Sequence, residues 1–76
     1  STMSLMDNFR SNVKEAMQHS GISQVELADA VKVHPVTLSK ILSGSVSPSV
    51  ERCELIAEKV GIRPDLVFVE PVAKKS

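Results

Sequence analysis

Residues 25–42 read VELADAVKVHPVTLSKIL, two apolar-periodic runs separated only by the five residues VKVHP at 31–35. In the first run Val25, Ala28 and Val31, with Leu27, share one helix face, and in the second Leu38, Ile41 and Leu42 do. The gap is too short for two independent helices and too heavily punctuated for one. Helices of about eight residues are marginal alone and persist only through tertiary packing. Two of them joined by three or four residues cross steeply, and the second then projects from the domain surface. Ala28, Val33 and Leu38 fall five apart: a small residue where the helices touch, an apolar plug in the turn, and an anchor on the second helix. The expected geometry at this corner is helix-turn-helix.

The flanks carry matching signals. Ser23 is expected to cap the first of these helices, and Glu26, three residues on, completes a capping box. Pro35 stands at the first position of the second helix, where its missing N–H costs nothing, and Gly44 ends it. Upstream, MDNFRSNVKEAMQHSG (6–21) places Met6, Phe9, Val13, Ala16 and Met17 on one face. Asp7 and His19 suit the dipole of that helix, and Gly21 suits a left-handed cap. Downstream, PSVERCELIAEKVG (48–61) predicts a helix capped by Ser49 that buries Val50, Cys53, Ile56, Ala57 and Val60 and stops at Gly61. RPDLVF (63–68) predicts a short fifth element starting at Pro64.

The fold expected is therefore all-α, with short connections and no strand or repeat. The domain is expected over residues 6–68, between a flexible N-terminus at 1–5 and a loose tail at 69–76. Ser1 and Thr2, ahead of Met3, are read as a candidate cloning remnant.

Bulk properties narrow the function. With 76 residues the chain makes one small domain, and with two Phe and no Trp or Tyr its core must be aliphatic. Nine basic and nine acidic residues cancel, so whole-molecule charge offers no attraction to nucleic acid or membrane. The single cysteine, Cys53, excludes an intrachain disulfide framework and a multi-cysteine zinc site, and fits a reducing cytoplasm. No apolar run approaches the roughly 20 residues of a membrane span.

ISQVELADAVKVHPVTLSKILSG (22–44), followed by SPSVERCELIAEKVGIRPDLVF (47–68), resembles the Cro/C1-type (XRE-like) helix-turn-helix family of phage repressors and bacterial transcriptional regulators. The resemblance rests on SQ-x-ELA at 23–28, V-x-x-x-T-L-S-K-I at 33–41, Gly44, Pro48, and IAEKVGI ending in DLVF. It implies a compact five-helix, lambda-repressor-like DNA-binding domain whose second and third helices form the helix-turn-helix. It also implies roles. Gln24 matches a glutamine that, with its helix N-terminus, meets a DNA phosphate. Pro35, Val36, Thr37, Ser39 and Lys40 match outward positions of the recognition helix in the major groove. Ser43 and Ser45 match positions that touch the backbone, and Lys32 and His34 in the turn join the candidate set. The side-chain chemistry agrees: valine and threonine methyls pack on thymine, hydroxyls reach base edges or phosphate, and lysine reaches guanine or phosphate.

Three departures from the family pattern bear on this. The turn position usually held by glycine is Lys32, so either a lysine adopts the left-handed region or the turn differs. An arginine late in the first helix, often paired with a glutamate ending the recognition helix, is here Met17, and its partner is Leu42. Both are apolar, so no charge is stranded. Finally, the segment from Ser23 to Pro48 carries Glu26, Asp29, Lys32 and Lys40, two of each sign and a net of zero. With Lys40, Lys32, and Arg10 or Lys14, about two to four phosphate contacts per subunit are expected.

Other residues have plainer readings. Cys53 at helical spacing is a small buried hydrophobe. His19 ends a helix, and His34 substitutes for an N-cap. Glu51, Glu54 and Glu58 line a solvated face with no acid–base partner. Val67, Phe68, Val69 and Val72 form a candidate dimer patch, with core closure the alternative role for Phe68.

The function implied is sequence-specific binding of double-stranded DNA by a cytoplasmic transcriptional regulator, a repressor acting as a homodimer, with no cofactor and no enzymatic site. The alternative is a protein-interaction module, or an antitoxin-type subunit with weak or lost DNA binding and a protein partner.

Overall fold

The computed structural model describes residues 4–70. Four α-helices follow one another: α1 at Leu5–Ser20, α2 at Gln24–Ala30, α3 at Pro35–Ser43 and α4 at Val50–Val60. A single 3-10 turn follows at Pro64–Leu66. No strand occurs among the described residues. The expected tail beyond Glu70, Val72 included, and residues 1–3 lie outside the described residues.

Local chemistry sets most helix ends. Ser4 caps α1 and Ser23 caps α2, each with a reciprocal capping box, to Asp7 and to Glu26. Ser49 caps α4 by accepting the Arg52 N–H at 3.2 Å. Gly21, Gly44 and Gly61 close α1, α3 and α4 in the left-handed conformation. The fifth helix expected from Pro64 is reduced to one 3-10 turn. Arg63 supplies no side-chain cap, and Val67 turns into the core at 0 % exposure directly after the turn.

The core gathers Phe9 and Val13 of α1, Leu27, Ala28 and Val31 around α2, Leu38, Ile41 and Leu42 of α3, Cys53, Ile56, Ala57 and Val60 of α4, and Val67. Each large aliphatic side chain taken fully out of water contributes about 1.5–3 kcal/mol, which helices this short need. Two valines assigned to buried faces are instead 63 % exposed, Val25 and Val50. Both lie in the first turn of a helix, where the Cα–Cβ bond leans toward the N-terminus and carries the side chain off the end of the core. Val67, read as part of a dimer patch, is core. Phe68 is half-buried, with its ring centroid 6.0 Å from that of Phe9.

The last described segment is held by asparagines of α1. Asn8 Nδ2 donates to the Phe68 carbonyl at 3.1 Å, and Asn12 Nδ2 donates to the carbonyls of Val67 and Val69 at 2.8 Å each. Three consecutive carbonyls outside any helix are thereby satisfied from the opposite end of the chain. No helix among the described residues is long and apolar enough to cross a membrane.

Candidate nucleic-acid interface

The turn that launches α3 is built by its backbone. Val33 N–H donates to the Ala28 carbonyl at 2.9 Å and Lys32 N–H to the Asp29 carbonyl at 3.2 Å, the paired bonds of a Schellman closure. That closure needs a left-handed residue, and Lys32 supplies it at φ +63°. Val33 then packs on the core as the plug expected of it. Of the two alternatives for the glycine-to-lysine departure, the lysine takes the left-handed conformation and the turn keeps its form.

His34 follows as the N-cap of α3. Its Nδ1 accepts the Val36 N–H at 3.1 Å, and Pro35 occupies the first helical position. Leu38, Ile41 and Leu42 pin one side of α3 at 3 % exposure or less. The opposite side, with Pro35, Val36, Thr37, Ser39, Lys40 and Ser43, is exposed, and Val36 shows 54 % of its surface.

At the far end the Lys40 carbonyl is an acceptor hub. It takes N–H bonds from Gly44 at 3.1 Å, Ser45 at 2.9 Å and Val46 at 3.3 Å, and a hydroxyl bond from Ser43 at 3.1 Å. Ser43 and Ser45 stand with their hydroxyl oxygens 3.3 Å apart. Arg10 of α1 lies against this end: a Cβ on Gly44 would meet its Cζ at 3.4 Å. The guanidinium also pairs with Asp7 of its own helix, so its charge is compensated locally.

Gln24 opens α2 and is exposed. It lines an open cleft of about 380 Å³ together with Lys14, Met17, Gln18, Ile22 and Leu42. Met17 and Leu42, the apolar replacements for a charged pair, therefore face a common space. Lys14, rather than Arg10, is the α1 cation that lines this cleft with Gln24; nothing in the local sequence pattern separates the two.

All the residues singled out from the sequence, Gln24, Lys32, His34, Pro35, Val36, Thr37, Ser39, Lys40, Ser43 and Ser45, are exposed. Nine of them run from the turn through α3 and just past it, and Gln24 stands apart at the start of α2. Cys53 is 1 % exposed on the core side of α4, and burial, with a smaller contribution from Glu54, pushes its thiol pKa up.

Comparison with known proteins agrees with this geometry. No curated protein and no solved structure matches the chain. A helix-turn-helix family model matches residues 13–67, from the middle of α1 to the buried Val67. On that match, which spans most of its length, the chain belongs to the Cro/C1-type (XRE-like) helix-turn-helix family, a family of DNA-binding regulatory domains.

Proposed function

We propose that this chain is a sequence-specific DNA-binding transcriptional regulator, a repressor that works as a homodimer. The observation that carries the reading is α3: one side is locked into the core, and the other offers Val36, Thr37, Ser39 and Lys40 to solvent. A helix of this kind fits the major groove of B-DNA, which is about 12 Å wide. In this reading Val36 and the Thr37 methyl pack on thymine methyls, and Ser39 and Lys40 address base edges and adjacent phosphates. Gln24 and Lys14 hold one phosphate at the cleft they share. Ser43 and Ser45 meet the backbone beyond α3. Repression is steric, since α3 and its flanks deny the site to other proteins.

Electrostatics supports the dimer. Lys14, Lys32 and Lys40 give about three phosphate contacts, each contributing about 0.9 to the salt slope. One domain then binds weakly, and a two-fold pair on a two-fold site supplies the rest. Leu66 and Val69, 45 % and 50 % exposed, are the apolar surface left beside the C-terminal segment for that pairing.

The test is selection of binding sites from random duplex DNA, followed by affinity measured against salt. A symmetric enriched motif is expected. Absence of any motif at low salt would favour the second reading, a protein-interaction or antitoxin-type module. That reading draws its support from the charge between Ser23 and Pro48, where Glu26 and Asp29 offset Lys32 and Lys40.

A further inference from the structure

We propose that His34 is a specificity-determining residue that reads a purine N7, guanine above all, through its Nε2–H; this rests on the DNA-binding reading above. The inference starts from the cap. His34 Nδ1 accepts the Val36 N–H at 3.1 Å, and an imidazole nitrogen that accepts carries no proton. In this bond the ring nitrogen left to donate is Nε2. Nδ1 and Nε2 lie on opposite flanks of the ring, so with Nδ1 turned to the helix Nε2–H points away from it. His34 is exposed, and that donor is presented to whatever α3 meets.

The polarity is what selects. A serine or threonine in the same place would offer a hydroxyl that both donates and accepts, and would match either kind of base edge. The capping histidine donates only. In the major groove guanine shows two acceptors, N7 and O6; adenine shows N7 beside an N–H₂ donor; thymine shows O4 beside a methyl; cytosine shows only a donor. A lone donor therefore favours guanine, which offers two acceptors, finds one acceptor on adenine N7 or thymine O4, and rejects cytosine; dependence on N7 is what separates the purine from thymine.

The rest of the first turn of α3 strengthens the case. Pro35 has no N–H, and the Val36 N–H is taken by the histidine itself. The backbone there is poor in donors for phosphate, so the turn is suited to a base edge rather than to a phosphate cup. Beside it the Val36 and Thr37 side chains stand exposed. N-terminal residues of a recognition helix are those that reach base edges.

The experiment has two arms on the intact chain. In the first, long-range proton–nitrogen NMR of histidine-labelled free protein at pH 8 reports which ring nitrogen of His34 holds the proton. Nε2 is expected, and a proton on Nδ1 overturns the proposal. In the second, the selected site is rebuilt with 7-deazapurine at each purine in turn and with methylphosphonate at each flanking phosphate. Wild type is compared with His34→Asp, which keeps a capping oxygen but has no donor, and is checked for an unchanged melting transition. One 7-deazapurine position is expected to weaken wild type about fivefold and the aspartate variant not at all. Loss of a methylphosphonate effect in the variant instead would make His34 a phosphate contact and overturn the base assignment. A selected motif with no position that depends on His34 overturns this inference alone. Failure to select any motif overturns the DNA reading and this inference with it.

Discussion

The Val33 N–H donates to the Ala28 carbonyl at 2.9 Å across Lys32, whose φ of +63° is the one left-handed non-glycine conformation among the described residues. A lysine there bears a steric cost of about 1–2 kcal/mol that glycine does not. Glycine returns part of this through greater freedom in the unfolded chain. Lys32→Gly is therefore expected to stabilise the fold by about 0.5–1 kcal/mol, a rise of a few degrees in Tm for a domain this size. The same variant read for DNA affinity separates two roles. Unchanged binding marks Lys32 as turn chemistry only, and weaker binding with a shallower salt dependence marks it as a phosphate contact as well.

Residues at the edge of the proposed interface and residues on α3 should fail differently. Gln24→Ala and Lys14→Ala are expected to weaken every site by a similar factor, and Lys14→Ala to lower the salt slope by about 0.9. Val36→Ala and Lys40→Ala are expected to change preference at particular base pairs, each by about 1 kcal/mol or more. Comparative binding to the selected site and to its single-base variants checks this. Uniform weakening by Val36→Ala would count against α3 as the reading helix.

Asn12 bridges the Val67 and Val69 carbonyls, each at 2.8 Å. Asn12→Ala deletes two bonds to a segment that has few others. The expected loss is about 1–2 kcal/mol, with faster amide hydrogen exchange around residues 66–69. The exposed surface of α3 is untouched, so affinity of the folded fraction for DNA should hold. Thermal melting and exchange measured on the same sample distinguish loss of this tether from loss of the interface.

Cys53 offers a pH test with a definite sign. Burial raises the folded thiol's pKa above its unfolded value, so the folded state holds its proton where the unfolded state gives it up. Stability from this source is complete below the ordinary thiol range and declines as pH rises into and through it. Cys53→Ala should lack that alkaline decline. Alkylation of Cys53 in the native protein should be slow and should accelerate together with global unfolding, since at 1 % exposure the thiol is reachable only after opening.

Much of the fold was legible because its signals are local. A serine followed by an acid three residues on marks the start of α2, proline at the first helical position marks the start of α3, and glycine after the last turn marks three of the four helix ends. The candidate interface was legible for the same reason, since a pinned apolar stripe on α3 leaves its other side to solvent. Helix count was overestimated at Pro64, where three helical residues without a cap close only one 3-10 turn. Val25 and Val50 misled because periodicity treats a helix as endless, while a first-turn side chain leans past the end of the core.

By itself the sequence determined the order of the four helices, the caps of α2, α3 and α4, the steep corner at Lys32 to Pro35 and most of the core, Val25, Val50 and Val67 excepted. Those follow from backbone geometry and from spacings a few residues apart. Only the tertiary structure decided that Asn8 and Asn12 would hold carbonyls some 55–60 residues away, that Arg10 would lie against the end of α3, and that Lys14 and Gln24 would line one cleft. Such pairings join positions distant in the chain, and no local propensity encodes which polar side chain finds which partner. They depend on how α1 lies across α3 and on where the chain returns after α4.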